Sequence, residues 1–347
     1  MIRKTTIVLL TILLIFNLAA CGNTEKKRYE AEFLTLFDTV TRIVGYSDNK
    51  EEFTKKVQMI HDSMEEYHQL YDIYNDYPGI NNIKTINDQA GIAPVKVDRR
   101  IIDLLLFSKK AYEMSDGKVN VAFGAVLKIW HDHRTMGIED PEKATLPSMD
   151  QLAEASKHTN IDQVIIDEEN STVYLEDPEM RLDVGAVAKG YATEEVTNIA
   201  LKNEFTSVLI SVGGNVRGIG EKEDSHTPWK VGVQNPYDQN GENISQVTLK
   251  DESLVTSGIY ERYFTVNGKN YHHIIDPVTL FPAEYFVSVT ILCPDSGMAD
   301  ALSTSVFNMS FDQGKALIES LPETEAMWAF QDGTIKYSSN FQESISR

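Results

Sequence analysis

"SVLISVGGNVRGIG", residues 207–220, decides what kind of fold this chain can build. Apolar and β-branched residues lead up to Val212, the glycine pair Gly213-Gly214 follows, and a second β-rich run carries Val216 and Ile219. A chain that reverses within two residues pairs its strands antiparallel, because parallel neighbours need a crossover of a dozen residues or more. The same reading applies to "YFTVNGKNYHHIIDP", 263–277, where Asn267-Gly268 sits between alternating residues, and to Ile161–Glu176, turning at Asp167–Asn170. "WKVGVQNP" (229–236) reads as a further short strand and "YFVSVTILCP" (285–294) as an apolar, buried one. A first strand is expected between Phe33 and Tyr46.

Helices lie between these hairpins. Phe53, Val57, Ile60, Met64 and Tyr67 recur at helical spacing. Asp98 is placed to cap a helix carrying Ile101, Ile102, Leu105, Leu106 and Met114. The stretch between them, "LYDIYNDYPGINNIKTINDQAG" (70–91), reads as loop with short turns. In "MRLDVGAVAKGYATEEV" (180–196) a strand is expected to end at Asp183 and a helix to run on to about Lys202. Hairpins outnumber crossovers, so the fold class is α+β: mixed, largely antiparallel sheets with flanking helices.

The N-terminus stands apart. Arg3 and Lys4 precede an apolar run from Ile7 to Phe16, too short for a membrane span of about 20 residues but suited to a secretory signal. Leu18-Ala19-Ala20-Cys21 resembles the lipobox of bacterial lipoproteins, which implies a signal peptide over 1–20 and a lipid on Cys21. Residues 21–30 are polar and read as a tether to a domain spanning 31–347. The implied location is the extracytoplasmic face of the cell membrane. With Cys21 lipidated, Cys293 has no disulfide partner, so stability rests on a core that a chain with 42% hydrophobic residues can build.

A net charge of −20 argues against nucleic acid and against a polybasic mode of membrane attachment. A phosphorylated ligand would need a local correction, from a metal ion or a placed lysine. Three groups of residues could supply that chemistry. The Gly/Ala-rich start of the helix after Asp183 either offers free N–H groups and Lys189 to an anion or marks tight helix packing. In "YHHIIDP", His272 and His273 point to opposite faces of a strand, so one of them at most faces a given pocket. In "DALSTSVF" (300–307), Asp300, Ser303 and Thr304 share a helix face. Those oxygens either suit Mg²⁺ or bond back to carbonyls one turn earlier.

Taken in order, "LDVGAVAKGYA", "SVGGNVRGIG", "VTSGIYERYF", "HHIIDP" and "DALST" resemble the FAD:protein FMN transferase family, and the likeness extends from "FDT" at Phe37 to the final helix. The resemblance implies an enzyme that binds FAD with Mg²⁺ at its pyrophosphate and transfers FMN to a threonine of an acceptor protein, releasing AMP. It implies flavin-nucleotide contacts at Phe37, Tyr74, Lys118, Val119, Asn120, Asp183, Lys189 and Ile275. Metal ligands are implied at the Ala186 carbonyl, Asp300, Ser303 and Thr304, and a base at His273. An imidazole titrates near neutral pH, which suits that role. The competing readings are an enzyme that hydrolyses FAD to FMN and AMP, and a lipoprotein that binds flavin or another solute without chemistry. The chain departs from many relatives in three places. It has Phe37-Asp38-Thr39 for Met-Gly-Thr, Gly117-Lys118-Val119-Asn120 for Gly-Ala-Phe-Asp, and Thr279-Leu280 for Thr-Gly.

Overall fold

A computed structural model describes residues 26–34, 36–238 and 241–346. The signal segment 1–20, most of the tether and the lipidation residue Cys21 lie outside the described residues. Eight strands form one fully antiparallel sheet: Lys27–Phe33, Thr41–Ser47, Val208–Val212, Asn215–Ile219, Ser253–Gly258, Ser288–Cys293, Glu325–Ala329 and Ile335–Tyr337. Their order in space is their order in the chain. The 207–220 hairpin forms as read, with Val212 opposite Asn215 and positive φ at Gly213 and Gly214.

Alternation assigns the two faces of the sheet. Ile43, Ile210, Val255, Ile291 and Trp328 face helices, while Val44, Leu254, Leu292 and Met327 face the Trp229–Val233/Ser245–Leu249 hairpin and Phe341. With apolar layers on both sides, Ser288–Cys293 is buried at every position, which explains its unbroken apolar run.

The helices are α1 (Lys50–Tyr71), α2 (Ile83–Asp88), α3 (Arg99–Met114), α4 (Gly124–Glu139), α5 (Met149–Ala155), α6 (Ala188–Lys202), α7 (Ser296–Phe307) and α8 (Phe311–Glu319). Asp98 caps α3 through its side chain, as expected. Among the described residues, no helix is long and apolar enough to cross a membrane.

Four readings change. The first strand begins at Lys27, inside the expected tether, because Tyr29, Ala31 and Phe33 alternate inward onto the helix-side core while the backbone pairs with Thr41–Ser47. Thr41–Ser47 is separated from it by a turn at Leu36–Asp38, so 33–46 is not one strand. Within the expected loop, Asn82 and Thr85 build a reciprocal cap that starts α2. Finally, the residues before Asp183 join no sheet. They touch the preceding segment through a single parallel contact between Phe123 and Arg181 and a hydrogen bond from Asp183 N to Val121 O.

Candidate active site

α6 and α7 cross closely, and glycine allows it. A Cβ on Gly190 would sit 2.3 Å from the Ser296 carbonyl oxygen and 2.4 Å from Asp300 Cβ. The Gly190 N–H donates to Asp300 Oδ2 at 2.8 Å. Tight helix packing is therefore the reason for this glycine, and its N–H serves a carboxylate of the protein. The Gly185 N–H is likewise taken, by Asp183 Oδ1 at 2.9 Å. Lys189 reaches Asp300 Oδ1 at 3.6 Å.

This crossing forms one wall of a cleft of about 430 Å³, within the usual range for small-molecule sites. Phe37, Tyr74, Lys118, Val119, Asn120, Asp183, Ala186, Lys189, His273, Ile275, Asp300 and Thr304 all line it. Twelve of the thirteen site residues expected within the described chain thus converge from segments far apart in sequence. Ser303 is the exception. It is fully buried, its hydroxyl donating to the Asp300 carbonyl at 2.9 Å and lying 2.8 Å from Ser257 Oγ. Asp300 and Thr304 are one turn apart and share the cleft-facing side of α7, whereas Ser303 turns toward the sheet.

The donors that remain are a carboxylate, a hydroxyl and the Ala186 carbonyl, all hard oxygens on one wall. That set fits Mg²⁺, which keeps few protein ligands and completes its shell with water and phosphate oxygens.

The facing wall comes from the loop after the 263–272 hairpin. Tyr263–Val266 pairs with Lys269–His272 around Asn267 and Gly268, both at positive φ. His272 points into the core, its ring edge-on to Phe307, with Nε2 on the Ala283 carbonyl and Nδ1 accepting from Ile274 N. His273 points into the cleft. Its Nδ1 lies 3.1 Å from the Arg262 carbonyl, and a carbonyl only accepts, so Nδ1 carries the proton and Nε2 keeps its lone pair. Burial, with help from the nearby Arg262 and Arg134 charges, pushes its pKa down to about 3. The imidazole is neutral far below the pH range expected for it. Asp276, the alternative base, is buried in an ion pair with Lys118 at 3.0 Å and accepts from Val278 N.

Several expected ligand contacts also have structural duties. The Asn120 carboxamide donates to Thr159 O and accepts from Ala122 N. The Phe37 N–H donates to His68 Nδ1. Asp38 and Leu280, at positions where the resemblance implies glycine, have left-handed φ values of 52° and 63°. Each carries a steric cost of roughly 1–2 kcal/mol. The Leu280 carbonyl accepts from Trp130 Nε1, which helps hold that turn.

Sequence reasoning missed α4, which presents His131 and Arg134 to the cleft. His131 Nδ1 is 2.8 Å from the Tyr74 hydroxyl, and its Nε2 is 3.9 Å from Asp183 Oδ2. Burial lowers the His131 pKa, and burial with nearby Asp183 raises that of Tyr74 to about 12. The available signal was the stripe Phe123, Leu127, His131 and Arg134, which recurs every three or four residues with polar members at one end.

The ApbE family model matches residues 37–328. The chain is 31% identical to the FAD:protein FMN transferase of Treponema pallidum (strain Nichols), over 96% of this chain and 93% of that protein. It is 32% identical to the FAD:protein FMN transferase of Klebsiella pneumoniae (strain 342), over 78% and 83% respectively. The crystal structure of the ApbE protein from Thermotoga maritima superposes with a TM-score of 0.81 at 31% identity, covering 92% of this chain and 100% of that one. On site, fold and sequence together, the chain belongs to the ApbE family.

Proposed function

We propose that this protein is an FAD:protein FMN transferase that moves FMN from FAD to a threonine hydroxyl of an extracytoplasmic acceptor protein, with Mg²⁺, while anchored to the membrane by a lipid on Cys21. One observation carries the reading. An imidazole with a fixed tautomer and a free Nε2 lines the same cleft as the oxygen-donor wall of Ala186, Asp300 and Thr304.

The residues divide the work. Nε2 of His273 accepts the threonine proton as the hydroxyl oxygen attacks the FMN-side phosphorus. The new P–O bond forms as the bond to the bridging oxygen breaks, and AMP leaves with that electron pair. The Arg262 carbonyl keeps the ring oriented throughout. Ala186, Asp300 and Thr304 would hold Mg²⁺, which when bound supplies charge neutralisation for the pyrophosphate and the departing AMP. Lys189 adds a positive charge beside Asp300. Tyr74, held by His131, lines the cleft where the flavin is expected.

The test is AMP release from FAD with Mg²⁺, measured with and without acceptor protein. Release coupled to acceptor labelling supports transfer. Release without labelling selects hydrolysis, and binding without release selects the solute-binding reading.

A further inference from the structure

Four cationic side chains other than histidine line the cleft: Lys118, Arg134, Lys189 and Arg262. Two of them already face carboxylates, Lys118 with Asp276 at 3.0 Å and Lys189 with Asp300 at 3.6 Å. Arg134 and Arg262 make no ion pair and no side-chain hydrogen bond with the described residues. In a chain of charge −20 this is unexpected, since acidic residues are in large excess. Arg134 is partly buried, and the neighbouring Arg262 charge adds to the penalty of burying it. Asp183 also acts on Arg134, but from beyond ion-pairing distance. Arg262 is exposed and hydrated, whereas the partly buried Arg134 carries a desolvation cost that an anionic ligand between the two guanidinium groups would offset.

We propose that Arg134 and Arg262 form an oxyanion site for the FMN-side phosphoryl group, the group being transferred. The inference rests on the transfer reading above, and it names residues for the reacting phosphate that the metal wall does not supply. The two arginines come from separate parts of the chain, Arg134 from α4 and Arg262 from "VTSGIYERYF", the segment leading into the 263–272 hairpin. Both act on His273, and the Arg262 carbonyl holds its ring. The phosphorus under attack must lie within reach of an oxygen whose proton His273 takes, so its remaining oxygens fall beside these guanidinium groups. A planar fork of N–H donors suits phosphate oxygens. Charge on the equatorial oxygens during in-line displacement is the charge that arginines stabilise in other phosphoryl transferases.

Equilibrium binding of FMN and of riboflavin, which differ only by the phosphate, tests this in EDTA so that no metal contributes. The wild type is expected to prefer FMN by about ten- to a hundredfold, the worth of charge-assisted hydrogen bonds. Arg134→Gln/Arg262→Gln should reduce the preference to under about threefold, and the single Arg262→Gln variant, at an exposed position, should reduce it in part. An unchanged preference in the double variant overturns the proposal, as does a wild type that does not favour FMN. A double variant that keeps the preference and raises only KM for the acceptor also overturns it, assigning the arginines to the acceptor instead. If the wild type shows the arginine-dependent preference yet releases no AMP from FAD, the phosphate site stands and the transfer reading fails.

Discussion

At the scale of single residues, the two adjacent histidines divide by geometry, His273 lining the cleft as the proposed base and His272 buried in the core. His273→Ala removes the free imidazole nitrogen and should slow FMN transfer by about 10²–10⁴-fold while leaving FAD affinity in place. His272 has both ring nitrogens engaged in the core, so alanine there leaves partners unsatisfied at a cost of about 1–3 kcal/mol each. His272→Ala should therefore lower the melting temperature while the folded protein still turns over. A dead but fully stable His272→Ala would reverse the two roles. The lowered pKa of His273 adds a pH prediction. Depressed to about 3, it is already deprotonated, and competent as a base, well below neutrality. The profile of kcat/KM for FAD, which reports the free enzyme, should show no acid limb from this group between about pH 5 and 8. An inflection near the ordinary histidine value that disappears in His273→Ala would contradict the depressed pKa.

At the scale of elements, the α6–α7 crossing sets the oxygen-donor wall proposed to hold Mg²⁺. Gly190→Ala forces a methyl group into the Ser296 backbone and Asp300 Cβ, so the helices must separate. The expected cost is about 1–3 kcal/mol in stability. KM for Mg²⁺ should also rise, since Asp300 loses the contact that aims it; unchanged Mg²⁺ dependence would show that the crossing does not position the carboxylate. This crossing was half legible in the sequence. The i, i+4 spacing of Asp300 and Thr304 put both on one face, and the resemblance supplied Ala186 and Lys189. That Gly190 serves a neighbouring helix instead of a ligand depends on tertiary approach, which local pattern does not encode. Ser303 shows the same limit, since a helix face wide enough to hold all three residues meets both a cleft and a sheet. The hairpins at 207–220 and 263–277 were fully legible because turn chemistry fixes them locally. α4 was not, because its apolar, histidine and arginine residues split between a buried side and the cleft, which blurs the amphipathic signal. The strand at Lys27–Phe33 was hidden by charged residues on its exposed face.

At the scale of the whole molecule, the proposed lipid on Cys21 is the feature that would hold the protein at a membrane. Cys21→Ala should leave turnover of FAD unchanged and shift the protein from the membrane fraction to the soluble one, or leave it unprocessed. A processed variant that still sediments with membranes would remove Cys21 from that role. The cleft itself ties together residues from Phe37 to Thr304, so transfer depends on the intact domain and on the oxygen-donor wall closing it. The most direct measurement is intact-protein and peptide mass spectrometry of an acceptor protein incubated with this enzyme, FAD and Mg²⁺. The account predicts one FMN in phosphoester linkage on an acceptor threonine, with equimolar AMP, lost on chelation of the metal and in Asp300→Ala. An unmodified acceptor alongside stoichiometric free FMN and AMP would contradict it.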